Sequence, residues 1–164
     1  MIGLKTERLV FRQWREEDYL VIVKFFSNQE TSRYVGGVKT KEEAWRLMAT
    51  YVGHYELMGF SYLAIEEKES GSLIGTVGLW NSTPWPEPEL GYWLVPEFQG
   101  KGYGVEAGKA VLDYGLNTVQ LETLVSYIDS SNEPSKKLAL KLGARPEPSI
   151  ELLDFGLHEV YRHR

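Results

Sequence analysis

The stretch Glu89-Leu90-Gly91-Tyr92-Trp93-Leu94-Val95, stopped by Pro96 and followed by Gln99-Gly100-Lys101-Gly102-Tyr103-Gly104, decides how the rest of the chain is read. Residues 89–95 read as a strand, and Pro96 lacks an amide donor and restricts the residue before it, so the strand ends there. Glycines at 100, 102 and 104 then let the backbone approach a ligand closely. Val105 to Thr118 follows, with Ala107, Val111, Leu112 and Leu116 at helical spacing. The N–H groups that open such a helix point at an anion, most simply a phosphate, so the loop reads as a phosphate cradle. Two nucleotide cradles fail on spacing. A P-loop requires G-x-x-x-x-G-K-[ST], yet Lys101 precedes Gly102 with no Ser or Thr in place, and a dinucleotide fingerprint requires G-x-G-x-x-G where this loop has G-x-G-x-G.

On the N-terminal side, Arg8 to Trp14 alternates as a strand, and Glu16 to Ser27 carries Tyr19, Leu20, Val23 and Phe26 at helical spacing. Thr40-Lys41-Glu42-Glu43 is a capping box, opening a helix whose apolar face runs from Ala44 to Met58 and stops at Gly59. Phe60–Glu67 and Leu73–Trp80 are strand-like runs joined by a hairpin connection at 68–72, and Pro84, Pro86 and Pro88 bend the chain into the deciding strand. On the C-terminal side, Leu121 to Ile128 is rich in strand formers. Pro134 suits a first helical turn that Leu138, Ala139 and Leu142 continue and Gly143 ends, and two short strands finish the chain.

A length of 164 residues fits one domain over 1–164, and 43% apolar with 13% aromatic residues supplies a sizeable core. The absence of cysteine excludes disulfides, thiolate metal sites and a cysteine nucleophile. No membrane span and no signal core interrupt the sequence, so a cytoplasmic protein is expected. A formal charge of −5 argues against nonspecific nucleic-acid binding and suits a cationic amine substrate. No G-x-S-x-G hydrolase elbow is present, since Gly59-Phe60-Ser61-Tyr62-Leu63 lacks the closing glycine.

The glycine loop resembles the Q/R-x-x-G-x-G/A signature of the GNAT acyl-CoA N-acyltransferases, and its surroundings resemble the RimJ/RimL-like branch. Thr6-Glu7-Arg8-Leu9-Val10-Phe11-Arg12 is similar to a T-E-R-L-x-L-R opening, Gly91-Tyr92-Trp93-Leu94 to a G-Y-W-[IL] strand, and Gly104-Val105-Glu106-Ala107 to the helix start. Asn132-Glu133-Pro134-Ser135 with Lys141-Leu142-Gly143-Ala144 is similar to the N-x-x-S…K-x-G-F region, Ala144 standing where an aromatic is usual. The resemblance implies an α+β fold, a three-layer sandwich with a mixed, mostly antiparallel sheet of about seven strands and about four helices. It implies a V-shaped splay between the fourth and fifth strands, opened by Pro96 or by a bulge near Leu94.

The same resemblance implies acetyl-CoA as cosubstrate and no metal. Main chain around Leu94 and Val95 would hold the pantetheine, residues Gln99, Gly100, Lys101, Gly102, Tyr103 and Gly104 the pyrophosphate, and Asn132 the pantetheine arm or the N-cap of its own helix. Ser135 is the candidate donor to the departing thiolate, with Tyr127 in reserve. Glu89, at the head of its strand on the face of Gly91 and Trp93, is the candidate base, although a strand-end glutamate more often sits in water. His54 and His158 titrate in the right range but read as packed or surface histidines. Trp80, Trp85 and Tyr92 are candidates for the acceptor wall, and the loop from Asn28 to Thr40 is the expected seat of acceptor specificity. The expected activity is direct acetyl transfer to a primary amine, on a protein N-terminus or a small molecule, with a non-catalytic acyl-CoA sensor as the alternative. A homodimer, through an edge strand or exchange of the C-terminal strand, is compatible with the sequence.

Overall fold

In the computed structural model, which describes residues 1–164, the period-two runs pair into one sheet of order β1-β2-β3-β4-β5-β7-β6. The strands are β1 (Leu9–Arg12), β2 (Tyr62–Glu67), β3 (Leu73–Trp80), β4 (Glu89–Leu94), β5 (Val125–Asp129), β6 (Arg145–Glu151) and β7 (Leu157–Arg162). All neighbours are antiparallel except β4 and β5. The helices are α1 (Tyr19–Phe26), α2 (Gln29–Ser32), α3 (Lys41–Met58), α4 (Tyr103–Asp113) and α5 (Glu133–Lys141). Alternation divides each strand between two apolar layers. Leu9, Phe11, Leu63, Ile65, Val77, Leu79 and Leu90 pack under Ala107 and Val111 of α4, while Ala64 and Trp93 pack against Phe25 and Phe26 of α1 and Met48 and Tyr51 of α3. The three-layer mixed sheet is the expected fold, with five α-helices.

Local chemistry sets the boundaries. The capping box forms as read, Thr40 Oγ1 accepting from the Glu43 N–H and Glu43 from the Thr40 N–H, and Gly59 ends α3 at φ 76°. Three elements differ from the sequence reading, the first two for a physical cause close at hand. The helix read as starting at Glu16 begins with a 3₁₀ turn, because Asp18 turns inward to take two bonds from the Arg12 guanidinium at 2.7 and 2.9 Å. The four-residue α2, inside the stretch read as loop, starts where the Asn28 side chain caps the Glu30 N–H at 2.8 Å. Helix α4 begins two residues before the expected Val105 and passes into a π-helical turn over Tyr114–Thr118.

The parting of β4 from β5 is the feature that positions the site. The two strands share a single pair, Glu89 with Val125. The opening therefore starts at the head of β4, not at Pro96, and the pairing of β3 with β4 runs from Gly75–Leu94 to Trp80–Glu89 without a bulge. At the vertex the Ser126 hydroxyl donates to the Leu90 carbonyl at 2.6 Å, so a side chain occupies the acceptor that the next ladder bond would use. Close backbone approach is needed elsewhere in the sheet: a Cβ on Gly78 would lie 2.2 Å from the Ser61 carbonyl oxygen. Gly78→Ala is expected to cost about 3 kcal/mol, read as a lower urea midpoint at unchanged slope.

Candidate active site

The main-chain edges of the gap follow from ladder alternation. The Val95 N–H donates to the Ile74 carbonyl at 2.9 Å, so the main chain of Val95, Trp93, Gly91 and Glu89 faces β3. Leu90, Tyr92 and Leu94 then face the gap. The Leu90 carbonyl is held by Ser126 and the Leu94 carbonyl by the Gln99 side chain at 2.8 Å, leaving the Tyr92 main chain and the Leu94 N–H open. Val95 is thus tied into the sheet and does not face the gap as expected. Across it, Val125, Tyr127 and Asp129 turn their main chain inward, since Ser126 and Ile128 bond β7.

The glycine loop divides into two functions. Gly100 and Gly102 adopt φ 73° and 84°, and nothing crowds a Cβ at Gly100, while at Gly102 only an Arg8 guanidinium nitrogen comes within 3.4 Å. The first helical bond, Glu106 N–H to the Gly102 carbonyl at 3.0 Å, leaves the N–H groups from Gly100 to Val105 without main-chain acceptors. Gly104 differs: it lies inside α4, and a Cβ there would stand 3.0 Å from Leu138 of α5. It serves helix packing. Tyr103 is also helical and buried, its hydroxyl donating to Glu67. Arg8 braces the loop from outside, donating to the Lys101 carbonyl at 3.0 Å and to Glu106 at 2.7 Å, with its guanidinium over the Tyr103 ring. Open, anion-directed N–H groups fit a pyrophosphate.

A cavity of about 310 Å³ runs through the gap and touches both helical layers. Glu89, Gly91, Trp93, Tyr51 and Tyr62 line it on the α1–α3 side, Tyr92, Asn132 and Ser135 on the α5 side. Glu89 is only 9% exposed, and burial raises its carboxyl from 4.5 to about 7, partly offset by the Trp85 indole, the Tyr127 main chain and the Tyr62 hydroxyl. Tyr62 lies over the β4 backbone with its hydroxyl 3.4 Å from Glu89, and Gly91 makes room for it, since a Cβ there would come within 2.3 Å of that hydroxyl.

A sequence profile of the acetyltransferase (GNAT) domain matches residues 8–145. The chain belongs to the GNAT acetyltransferases. Members of this family are acetyl-CoA-dependent N-acetyltransferases, and this chain is one of them. It is 31% identical over 147 residues to the N-acetyltransferase YoaA of Bacillus subtilis (strain 168), covering 88% of this chain and 83% of YoaA. The crystal structure of an acetyltransferase from Agrobacterium tumefaciens superposes with a TM-score of 0.89 at 31% identity, covering 98% of this chain and 93% of that one. Mycobacterium smegmatis RimJ, in complex with CoA-disulfide, shares the fold with a TM-score of 0.76 at 18% identity, over 94% of this chain and 80% of that one.

Within this GNAT chain the candidate residues separate by location. Asn132 caps α5, its side chain accepting from the Ser135 N–H at 3.3 Å, and the Tyr92 hydroxyl donates to the Ser135 carbonyl at 3.1 Å. Ser135 and Glu89 therefore approach the cavity from opposite faces of β4. The Tyr127 hydroxyl is buried without a partner, and burial, then the charges of Glu87 and Glu89, push it up to about 12. His54 is committed to packing: Nδ1 donates to the Phe60 carbonyl at 2.8 Å, Nε2 accepts from the Asn81 N–H at 3.2 Å, and the ring stacks 3.9 Å from Trp80. His158 lines the cavity with Nδ1 3.0 Å from the Gly156 carbonyl.

The sequence reading passed over Tyr62, Ser126 and His163. His163 Nε2 lies 3.0 Å from the Ser126 hydroxyl, and burial lowers the imidazole to about 4, so it stays neutral and backs the vertex. None of the three carries a local motif; a tyrosine facing a glycine one strand beyond its neighbour is the only sequence signal for Tyr62.

Glu89 also bears on stability. The folded state holds its proton up to about pH 7 while the unfolded chain releases it near 4.5, so the contribution of the neutral acid is complete below 4.5 and lost as pH rises through 7. Glu89→Gln, which cannot ionise, is expected to gain on the wild type by on the order of 2 kcal/mol between pH 5 and pH 8 in urea titrations.

Proposed function

We propose that the chain moves an acetyl group directly from acetyl-CoA to a primary amine, on a protein N-terminus or a small molecule, with both substrates bound together. Glu89 carries this reading: a buried carboxyl with its pKa at about 7, inside the cavity that also reaches Ser135. A base poised there takes a proton at neutral pH and returns it without a large penalty. Acetyl-CoA supplies a thioester carbonyl; the amine nitrogen bonds to its carbon, the carbon–sulfur bond breaks, and no acyl-enzyme is required.

Glu89 accepts the proton that the amine loses, with the Tyr62 hydroxyl steadying the carboxylate. Ser135 donates its hydroxyl hydrogen bond to the departing sulfur, and Tyr127 is the second hydroxyl on the cavity wall available for that step. The N–H groups from Gly100 to Val105, Lys101 among them, hold the pyrophosphate, while Gln99 is tied back to Leu94 and Pro96 at the loop's entry. The Tyr92 and Leu94 main chain bonds the pantetheine amides as a strand would, and Asn132 borders the arm. Burial on both faces of the sheet excludes water that would otherwise take the acetyl group.

With saturating amine, kcat should rise with pH about a midpoint near 7, and Glu89→Gln should lower it about 100-fold and abolish that midpoint. Ser135→Ala should lower kcat about tenfold at unchanged acetyl-CoA affinity. Unchanged turnover in Glu89→Gln would move the base elsewhere. At the loop, Gly102→Ala and Gly102→Glu share the strain of φ 84° but only the second adds charge to the cradle. Calorimetry should show acetyl-CoA binding about tenfold weaker in Gly102→Glu than in Gly102→Ala.

A further inference from the structure

On the α1–α3 side of the gap the cavity wall is aromatic. Trp80 stacks on Tyr62 with centroids 5.6 Å apart and planes at 17°, and Trp85 meets Tyr127 and Phe155 edge-on at 6.2 and 5.7 Å. Phe155 stands at the rim and is 56% exposed. The indole N–H of Trp85 is buried and turned toward the Glu89 carboxyl, whose pKa it helps to hold down. Tyr34, from the segment between α2 and α3, reaches across to donate to the Ser131 carbonyl at 3.2 Å, which bounds the cavity on that side.

Carboxylates are few by comparison. Besides Glu89, the wall offers Asp129, whose Oδ1 already accepts the Ser131 N–H and hydroxyl at 2.8 and 2.6 Å. Lys39 brings a positive charge to the same wall, held at 3.2 Å by the Gly36 carbonyl. A polyamine needs one counter-charge for each ammonium it buries, and the two wall carboxylates, Glu89 and Asp129, are opposed by Lys39, which leaves too little negative charge for several ammonium groups. Aromatic faces instead hold a single cation, and faces and edges together pack against a flat apolar body. The cavity of about 310 Å³ is at the small end of ligand sites, which run from roughly 300 to 1,000 Å³, and part of it, by Tyr92 and Asn132, is taken by the pantetheine arm, so the space left for the acceptor suits a compact molecule better than a polypeptide end.

We infer that the acceptor is a small primary monoamine on a flat apolar body, of the arylalkylamine class, with its nitrogen at Glu89 and its ring against Trp85 and Phe155. The inference rests on the acetyl-transfer reading for what happens at the nitrogen, while recognition of the ring does not depend on it. The test is calorimetry on the full chain saturated with CoA, using 2-phenylethylamine, butylamine and spermidine as ligands. The aryl amine should bind at least about tenfold more tightly than either of the others. Trp85→Leu and, on the exposed rim, Phe155→Leu should each remove much of that margin at unchanged CoA affinity. Spermidine binding as well as the aryl amine, or both variants keeping the full margin, would overturn the inference. Thiol release with the same amines separates the two claims. Selective aryl-amine binding without release would defeat the transfer reading and leave the ligand class standing; release with spermidine preferred would do the reverse.

Discussion

One backbone pair, Glu89 with Val125, joins the two halves of the sheet, and the rest of the site depends on the strands separating immediately after it. Parallel neighbours in the middle of a sheet normally satisfy each other along their length, and main-chain groups withdrawn from that pairing need other partners. Here the Ser126 hydroxyl takes the first vacant acceptor on β4 and Gln99 takes the last, so the open positions are confined to Tyr92 and Leu94. A ligand arm with amides spaced along it supplies what those positions lack. The glycine loop follows closely on the end of the same strand, so the edge with open main-chain positions leads to the N–H groups that suit a phosphate.

The split also accounts for the electrostatics. Glu89 stands at the vertex, where Trp85, Tyr62 and the β5 backbone enclose it, and enclosure is what lifts its pKa. Tyr62 can lie there only because Gly91 has no side chain, and it is flanked by Tyr51 and Trp80. His163 supports the vertex from the other face, kept neutral by burial. A carboxyl that titrates near neutral pH is thus obtained by placing an acid where ionisation opposes folding, a loss of stability of the kind found at many active sites.

Elements governed by neighbours in sequence were legible before the structure. The Thr40 capping box, the Gly59 stop, the β2–β3 hairpin and the strand–glycine–helix order each express chemistry within a few residues. What escaped the reading depends on distant partners. Asp18 turns from a first-turn acid into an ion-pair partner because Arg12 lies across from it, and Gly104 is set by Leu138. Glu89 was legible as a candidate by face and position, but its burial depends on Tyr62 and Trp85, which no local pattern ties to it. The splay was anticipated from resemblance, yet its starting point is fixed by a serine hydroxyl that carries no sequence signature.

The open stretch of β4 and β5 has a dynamic consequence. The amides of Tyr92 and Leu94 belong to a central strand, but they lack the cross-strand acceptors that slow exchange with solvent hydrogen elsewhere in a sheet. In isotope-exchange terms the middle of this protein behaves as a pair of outer strands, facing each other across a slot. Such edges invite addition of a foreign strand, and here the protection is geometric: the slot is roofed by helices on both sides, so it admits something as slender as a single extended arm and turns away another sheet.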